Sequence, residues 1–194
     1  MKLGSASYVV LGMLSMGARS GYEVKRFMEL SARFFWAISP VQIYPELKKL
    51  EAAGLVTGRD EPRGKRARRL YRLTPAGRRA LREWLSRPEE LTVEWRDKGL
   101  LRLFFADVLD EEEALGVLHE FGARSERLAL EFRERILPAA EATAARRENR
   151  YSAVVARFGR DFNEWAAAWA AEVERELREA AYAAGRTGPS TRSV

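Results

Sequence analysis

Apolar residues recur at two spacings along the chain, and the spacing changes sort it into elements. Tyr8, Val9, Leu11, Met13, Leu14 and Met16 form a dense apolar helix that stops at Gly17. A second helix follows Ser20, a candidate N-cap, and carries Tyr22, Val24, Phe27, Met28 and Leu30. Ser39, Pro40 and Gln42 mark the start of a third. Serine stands at the cap, proline at the first helical position, and glutamine three residues past the cap completes a capping box. Ile43, Leu47 and Leu50 continue at helical spacing, and Gly54 closes the helix. Pro45 removes a backbone donor in the second turn, which predicts a distorted or tightened start. The period then drops to that of strands. Residues 55–57 and 70–73 flank a stretch from Arg59 to Arg69, a pattern that predicts a β-hairpin with a basic tip. Thr74 and Pro75 open a further helix with Leu81, Trp84 and Leu85.

The second half is helical throughout. A short apolar helix is expected over residues 99–109. Asp110 and the three glutamates after it suit the positive end of a long helix, whose inward positions are Ala114, Leu118, Phe121, Ser125, Leu128, Phe132 and Ile136. Pro138 should kink or interrupt it. A last helix carries Tyr151, Val155, Phe158, Phe162, Trp165, Trp169, Val173 and Leu177. The order helix, helix, helix, two-stranded wing, helix, helical region predicts a mainly α chain with a small β-wing. Residues 1–86 form a winged helix-turn-helix, 87–97 a linker, and 98–184 an all-helical domain. Residues 185–194, rich in Gly, Ser and Thr, read as a disordered tail.

Charge sharpens this division. Residues 1–86 hold 17 Lys and Arg against 7 Asp and Glu, whereas residues 87–194 hold 17 against 21. The net charge of +6 thus comes from a basic front half, as expected of a surface that meets a polyanion. The chain has no cysteine, which excludes disulfides, thiolate catalysis and Cys-ligated metals and fits a cytoplasmic setting. No apolar run reaches the length of a membrane span, and the first twelve residues lack the features of a secretory signal.

In a helix-turn-helix the second helix of the motif enters the major groove. Here that is the helix from Ser39, with Gln42 suited to an adenine edge and Lys48 and Lys49 to phosphates. Six basic residues between Arg59 and Arg69, among them Arg63, Lys65, Arg66 and Arg68, suit a ribbon that follows a phosphate backbone or enters a minor groove. On the last helix Phe158, Phe162, Trp165 and Trp169 lie on one stripe. Two readings stand open for it: packing in a core or dimer interface, and a pocket for a flat aromatic effector. The single histidine, His119, has the setting of a surface residue. No nucleophile and base pair, phosphate loop, metal cluster or cofactor motif is present in the pattern, so no catalytic residue, metal or cofactor is expected.

At these positions the sequence resembles the phenolic-acid-responsive repressor family known as PadR. The likeness runs through Leu11-Gly12-Met13-Leu14, Gly21-Tyr22-Glu23-Val24, Ile38-Ser39-Pro40, Gln42-Ile43-Tyr44-Pro45-Glu46-Leu47, Leu50-Glu51, Gly54-Leu55-Val56 and Tyr71-Arg72-Leu73-Thr74-Pro75-Ala76-Gly77. The second half resembles the longer subgroup with a virulence-activator-type helical domain, through its helix layout, Phe162 and Trp165. The resemblance implies an all-helical dimerisation domain and a homodimer on double-stranded DNA, at an inverted repeat, as a repressor. It places Tyr22 and Lys25 near phosphate, Ser39, Gln42, Tyr44, Lys48 and Lys49 on or beside the recognition helix, and Lys65, Arg66 and Arg68 on the wing. Val41 stands where the family often has glycine, and Ala67 and Leu70 where its wing often has proline and an aromatic residue or valine. A winged helix that binds protein without reading DNA is the competing expectation.

Overall fold

The computed structural model describes residues 3–36, 38–63, 66–88, 96–147 and 150–186, with side chains for all of these except 63, 66–67, 146–147 and 184–186. The chain divides into two compact units, Met1–Thr92 with Ala139–Ser152, and Val93–Pro138 with Ala153–Val194. No helix among the described residues is long and apolar enough to cross a membrane.

In the first unit α1 (Ser5–Ser15), α2 (Gly21–Glu29) and α3 (Pro40–Ala52) precede a hairpin of β1 (Val56–Arg63) and β2 (Arg66–Leu73), followed by α4 (Pro75–Ser86). A 3-10 turn, Ala32–Phe34, sits between α2 and α3. Both glycines expected to stop a helix do so in the left-handed region, Gly17 at φ 103° and Gly54 at φ 67°. Behind each, paired bonds (Ala18 N–H to Met13 C=O, Leu55 N–H to Leu50 C=O) satisfy carbonyls that the helix end would orphan. Val10, Leu11, Val24, Ile43, Leu47, Leu50 and Val56 are essentially inaccessible and make one core shared by α1, α2, α3 and the hairpin root. Of the three apolar residues named on α4, Leu81 and Trp84 pack inward and Leu85 is exposed.

One expectation is met here and another is corrected. The helix runs unbroken through Pro45; the tightening is confined to its first turn, where Gln42 N–H reaches the Ser39 carbonyl at 2.9 Å. The hairpin is longer than its apolar residues suggest. β1 and β2 pair antiparallel from Val56↔Leu73 to Arg63↔Arg66, so most of the expected basic tip is ladder. Backbone bonds hold such a ribbon whatever its side chains, and charged residues are ordinary on its solvated face. Residue 65 and the connection lie outside the described residues.

In the second unit Asp97, assigned from sequence to the linker, caps α5 (Lys98–Phe104) by accepting from Gly99 and Leu100 N–H at 2.7 and 3.1 Å. The apolar helix expected over 99–109 is therefore split: α5 ends at Phe104, and a 3-10 turn, Ala106–Val108, follows. Residues 89–95 of the expected linker lie outside the described residues. Asp110 and Glu113 form the capping box of α6 (Glu111–Glu131). Pro138 interrupts the run as expected, by a π-helical turn at Phe132–Ile136 ahead of α7 (Leu137–Arg147). A widened turn absorbs the missing donor and the clash of the ring with the preceding carbonyl without ending the helix. α8 (Arg150–Arg186) is 37 residues long and includes Gly185 and Arg186, which the composition had assigned to the tail; 187–194 lie outside the described residues.

Leu118 and Phe121 of α6 pack against Ala166 and Ala170 of α8, with Leu100, Leu103, Trp169 and Val173 around them. Small residues let the two helices close: a β-carbon at Gly122 would stand 3.1 Å from that of Ala170. The alanines at 166 and 170 thus have a packing reason. Gly159 of α8 serves Phe132 similarly, since a β-carbon there would meet its ring at 2.4 Å.

Candidate nucleic-acid interface

The buried stripe Ile43, Leu47 and Leu50 fixes which face of α3 is free. That face carries Val41, Gln42, Tyr44 and Lys48, all exposed, with Val41 at 79%. Ser39 and Gln42 form the expected capping box, Ser39 N–H donating to Gln42 Oε1 at 3.2 Å. The amide that suits an adenine edge is thus already engaged through its acceptor, leaving its N–H₂ group to donate.

Tyr44 lies across the start of α2. A β-carbon on Gly21 would stand 2.5 Å from the Tyr44 ring, yet the ring is still 56% exposed. Tyr22 beside it is 66% exposed, and Lys25, one turn on, pairs loosely with Glu29 at 3.7 Å. These residues bring the start of α2 and the free face of α3 onto one surface.

Two predicted phosphate ligands are committed elsewhere. Lys49 turns toward α1: its ammonium donates to Ser7 Oγ at 3.3 Å and to both Glu46 oxygens at 3.4 Å, and Ser7 donates to Glu46 Oε2 at 2.5 Å. Ser7 is fully buried, so a hydroxyl in the core finds its acceptor on α3. Arg68 reaches back from the hairpin to the N-terminus of α2. It donates to Glu23 and, at 2.9 Å, to Ser20 Oγ, the same oxygen that caps Glu23 N–H. Burial pushes the Glu23 carboxyl up, but the bonds from Arg19 N–H and Arg68 more than reverse this and hold it below the usual carboxylate range. Lys48 remains on the open face as read from sequence. Side chains at Arg63 and Arg66, and Lys65 altogether, lie outside the described residues.

Sequence spacing did not disclose the group around Arg69. This residue donates to Glu51 on α3 and to Asp60, its cross-strand partner. Its signal was present only as the charges of residues eighteen apart, and helical or strand periodicity cannot pair those. Val41 was noted only as a departure from the usual glycine. Its place two residues before Ile43, off the buried stripe, was the available clue that it faces outward.

In the second unit the aromatic stripe is a ladder. Ring centroids are 6.2 Å apart for Phe158 and Phe162, 5.9 Å for Phe162 and Trp165, and 6.4 Å for Trp165 and Trp169. Its two ends differ. Trp169 meets Phe121 edge-to-face at 5.8 Å within the core, whereas Phe158 and Trp165 are 68% and 59% exposed. His119 is an exposed residue beside Glu174, with Nδ1 and Oε2 3.4 Å apart. Among the described residues no group of three or more acidic or histidine side chains could hold a metal ion.

Comparison with known proteins places two family descriptions end to end. The "Transcriptional regulator PadR-like family" matches residues 10–83, and "Virulence activator alpha C-term" matches residues 95–178. The chain is 35% identical over 108 residues, 55% of its own length, to the negative transcriptional regulator PadR of Bacillus subtilis (strain 168). It is 48% identical over 66 residues, 34% of its length, to a transcriptional regulator of Mycobacterium tuberculosis. It spans 59% and 61% of the lengths of these two relatives. Among solved structures, Bacillus subtilis PadR in complex with operator DNA superposes with a TM-score of 0.78 at 23% identity, covering 91% of this chain and 99% of that one. The same protein in complex with p-coumaric acid gives 0.70 at 23%, covering 89% and 98%. The Vibrio cholerae virulence activator AphA gives 0.65 at 29%, covering 90% and 99%.

Proposed function

We propose that this chain, which belongs to the PadR-like family of transcriptional regulators, binds double-stranded DNA in a sequence-specific way and is not an enzyme. The observation that carries the reading is the free face of α3. Val41, Gln42, Tyr44 and Lys48 are presented together on a helix whose opposite face is locked into the core, beside an antiparallel basic ribbon. A helix so held is stiff enough to read base edges, and Val41 adds an apolar group that suits a thymine methyl. The ribbon and Lys48 supply sequence-independent attraction to phosphate.

Two copies pair through residues 98–184, the exposed end of the Phe158–Trp165 ladder lying in the contact, and so set two α3 helices about one DNA turn, roughly 34 Å, apart. The operator is then an inverted repeat and the protein a repressor. A small aromatic compound that prefers one arrangement of the pair over another releases it. The relatives support the DNA, repressor and effector parts of this reading: one is named a negative regulator, and PadR was solved both with operator DNA and with p-coumaric acid.

Fluorescence anisotropy with a labelled duplex from the region upstream of its own gene, against a shuffled duplex at two salt concentrations, tests the reading. A preference of about 10³-fold or more is expected. Weak, equal and steeply salt-dependent binding to both duplexes would leave only a basic surface on that DNA and favour a protein-binding winged helix.

A further inference from the structure

Glu51 carries the wrong charge to touch DNA, yet its contacts tie the recognition helix to the wing. It stands in the last turn of α3. Its Oε1 accepts from Gly58 N–H at 3.0 Å and from Arg69 Nη2 at 2.6 Å, and its Oε2 from Arg69 Nε at 3.3 Å. The guanidinium is thereby gripped side-on, and its remaining arm, Nη1, donates to Asp60 Oδ1 at 2.9 Å directly across the ladder. Arg69 thus joins a carboxylate of α3 to one of β1 while itself standing on β2. Gly58 leaves the space this needs. A β-carbon there would stand 2.5 Å from Glu51 Oε1 and 2.6 Å from Arg69 Nε. Below the group is Tyr71, buried, with the guanidinium carbon 6.0 Å from its ring centroid.

The neighbouring residue braces the other face. Successive strand residues point to opposite sides, and Arg68 accordingly reaches Glu23 and Ser20 of the α2 start while Arg69 reaches Glu51 of α3. The hairpin is therefore held at its root from both helices of the motif. From Gly58 to the last paired residue, Arg63, the ribbon extends about 17 Å, given a strand rise of about 3.3 Å per residue. A root rotation of roughly 10° would carry the far end about 3 Å, further than a phosphate hydrogen bond tolerates.

We propose that Glu51, acting through Arg69 and the space left by Gly58, is a positioning residue that sets the angle of the wing against the recognition helix and so aligns wing and helix on one DNA site. The inference rests on the DNA-binding reading above. Its sign is what makes it testable. Removing a carboxylate near DNA ordinarily strengthens binding to any sequence; removing one that aligns two reading elements weakens binding to the right sequence.

The full-length chain is used to select duplexes from a random 30-base-pair library, and anisotropy compares the recovered duplex with a scrambled duplex of the same composition. The variants are Glu51→Gln, which removes the charge, and Gly58→Ala, which changes no charge but occupies the space. Glu61→Gln removes a charge from the same hairpin outside the group. Wild type and Glu61→Gln are expected to keep their preference. Glu51→Gln and Gly58→Ala should lose about tenfold or more of it, with undiminished affinity for the scrambled duplex. Thermal melting by circular dichroism accompanies each, and if one of the two does not fold the other decides. A Glu51→Gln protein that is folded and as selective as wild type overturns the inference and leaves the DNA-binding reading standing. A wild type that enriches no sequence removes both.

Discussion

Gly77, in the first turn of α4, faces the Leu55 carbonyl so closely that a β-carbon at position 77 would stand 2.0 Å from the oxygen. The same carbonyl accepts from Thr74 N–H at 3.0 Å and Thr74 Oγ1 at 3.1 Å, and Thr74 in turn caps Gly77 N–H. The start of α4 is thereby sewn onto the turn that leaves α3. Both groups in the close approach are backbone, so neither can swing aside. Gly77→Ala is expected to destabilise the first unit by about 2–4 kcal/mol, in the range of severe overpacking. Thr74→Ala should cost about 1 kcal/mol through the lost cap. Urea melts of the two variants check both the direction and the order.

Lys48 and Lys49 are adjacent in sequence but differently placed, the first exposed and the second bonded to Ser7 and Glu46. Lys48→Ala should weaken binding to all DNA sequences alike and reduce the salt dependence of the affinity by about one counterion. Lys49→Ala should leave that slope nearly unchanged and instead lower the melting temperature, because it strips Glu46 and Ser7 of their cation. Equal slopes for the two variants would mean that Lys49 leaves its internal partners on DNA.

Asp97 is expected to make the second unit sensitive to acid. Burial pushes its carboxyl up, but the Arg124 guanidinium and the Leu100 and Gly99 amides more than offset this and hold it below the usual aspartate range. A carboxyl whose value is lower folded than unfolded stabilises the fold above its unfolded value, and the contribution is lost as pH falls through the folded one. Asp97→Asn should therefore cost about 2 kcal/mol at pH 7. The gap between variant and wild type should shrink as pH falls through the lowered folded value. Melting curves across pH 2–7 measure it; a gap independent of pH would assign Asp97 to packing alone.

Trp165 and Trp169 stack on each other but face different demands. Trp169→Ala opens the contact with Phe121 and should destabilise the second unit by about 2–3 kcal/mol. Trp165→Ala should change urea stability at fixed concentration far less, while weakening self-association by about tenfold or more, as loss of an aromatic anchor does. Sedimentation equilibrium at micromolar concentration separates the two effects.

Legibility in the sequence followed the range of the interaction. The caps at Ser20, Thr74 and Asp110, the stops at Gly17 and Gly54, and the inward stripe Ile43, Leu47 and Leu50 were all readable, since each depends on residues within four or five of one another. Extending a strand through Arg59, Asp60 and Glu61 was not readable. Ladder bonds come from a backbone partner whose register no local pattern states, and solvated ribbon faces tolerate charge. The split of the run near 99–109 was hidden because apolar residues stand on both sides of the break and neither glycine nor proline marks the end of α5 at Phe104.

The sequence by itself determined the order of the main elements, the basic front half, the outward residues Gln42, Tyr44 and Lys48, and a family likeness carried by the ordered motifs of residues 11–77. Tertiary structure decided which cations are free. Lys49 and Arg68 read as phosphate ligands because periodicity registers only side-chain type and face. In the fold Ser7 and Glu46 claim one, Glu23 and Ser20 the other, and Glu51 with Asp60 holds Arg69. These partners lie 3 to 48 residues away along the chain. A charge's assignment depends on which opposite charge the fold brings within a few ångströms, and for most of these pairs only the packing of α1, α2, α3 and the hairpin does that.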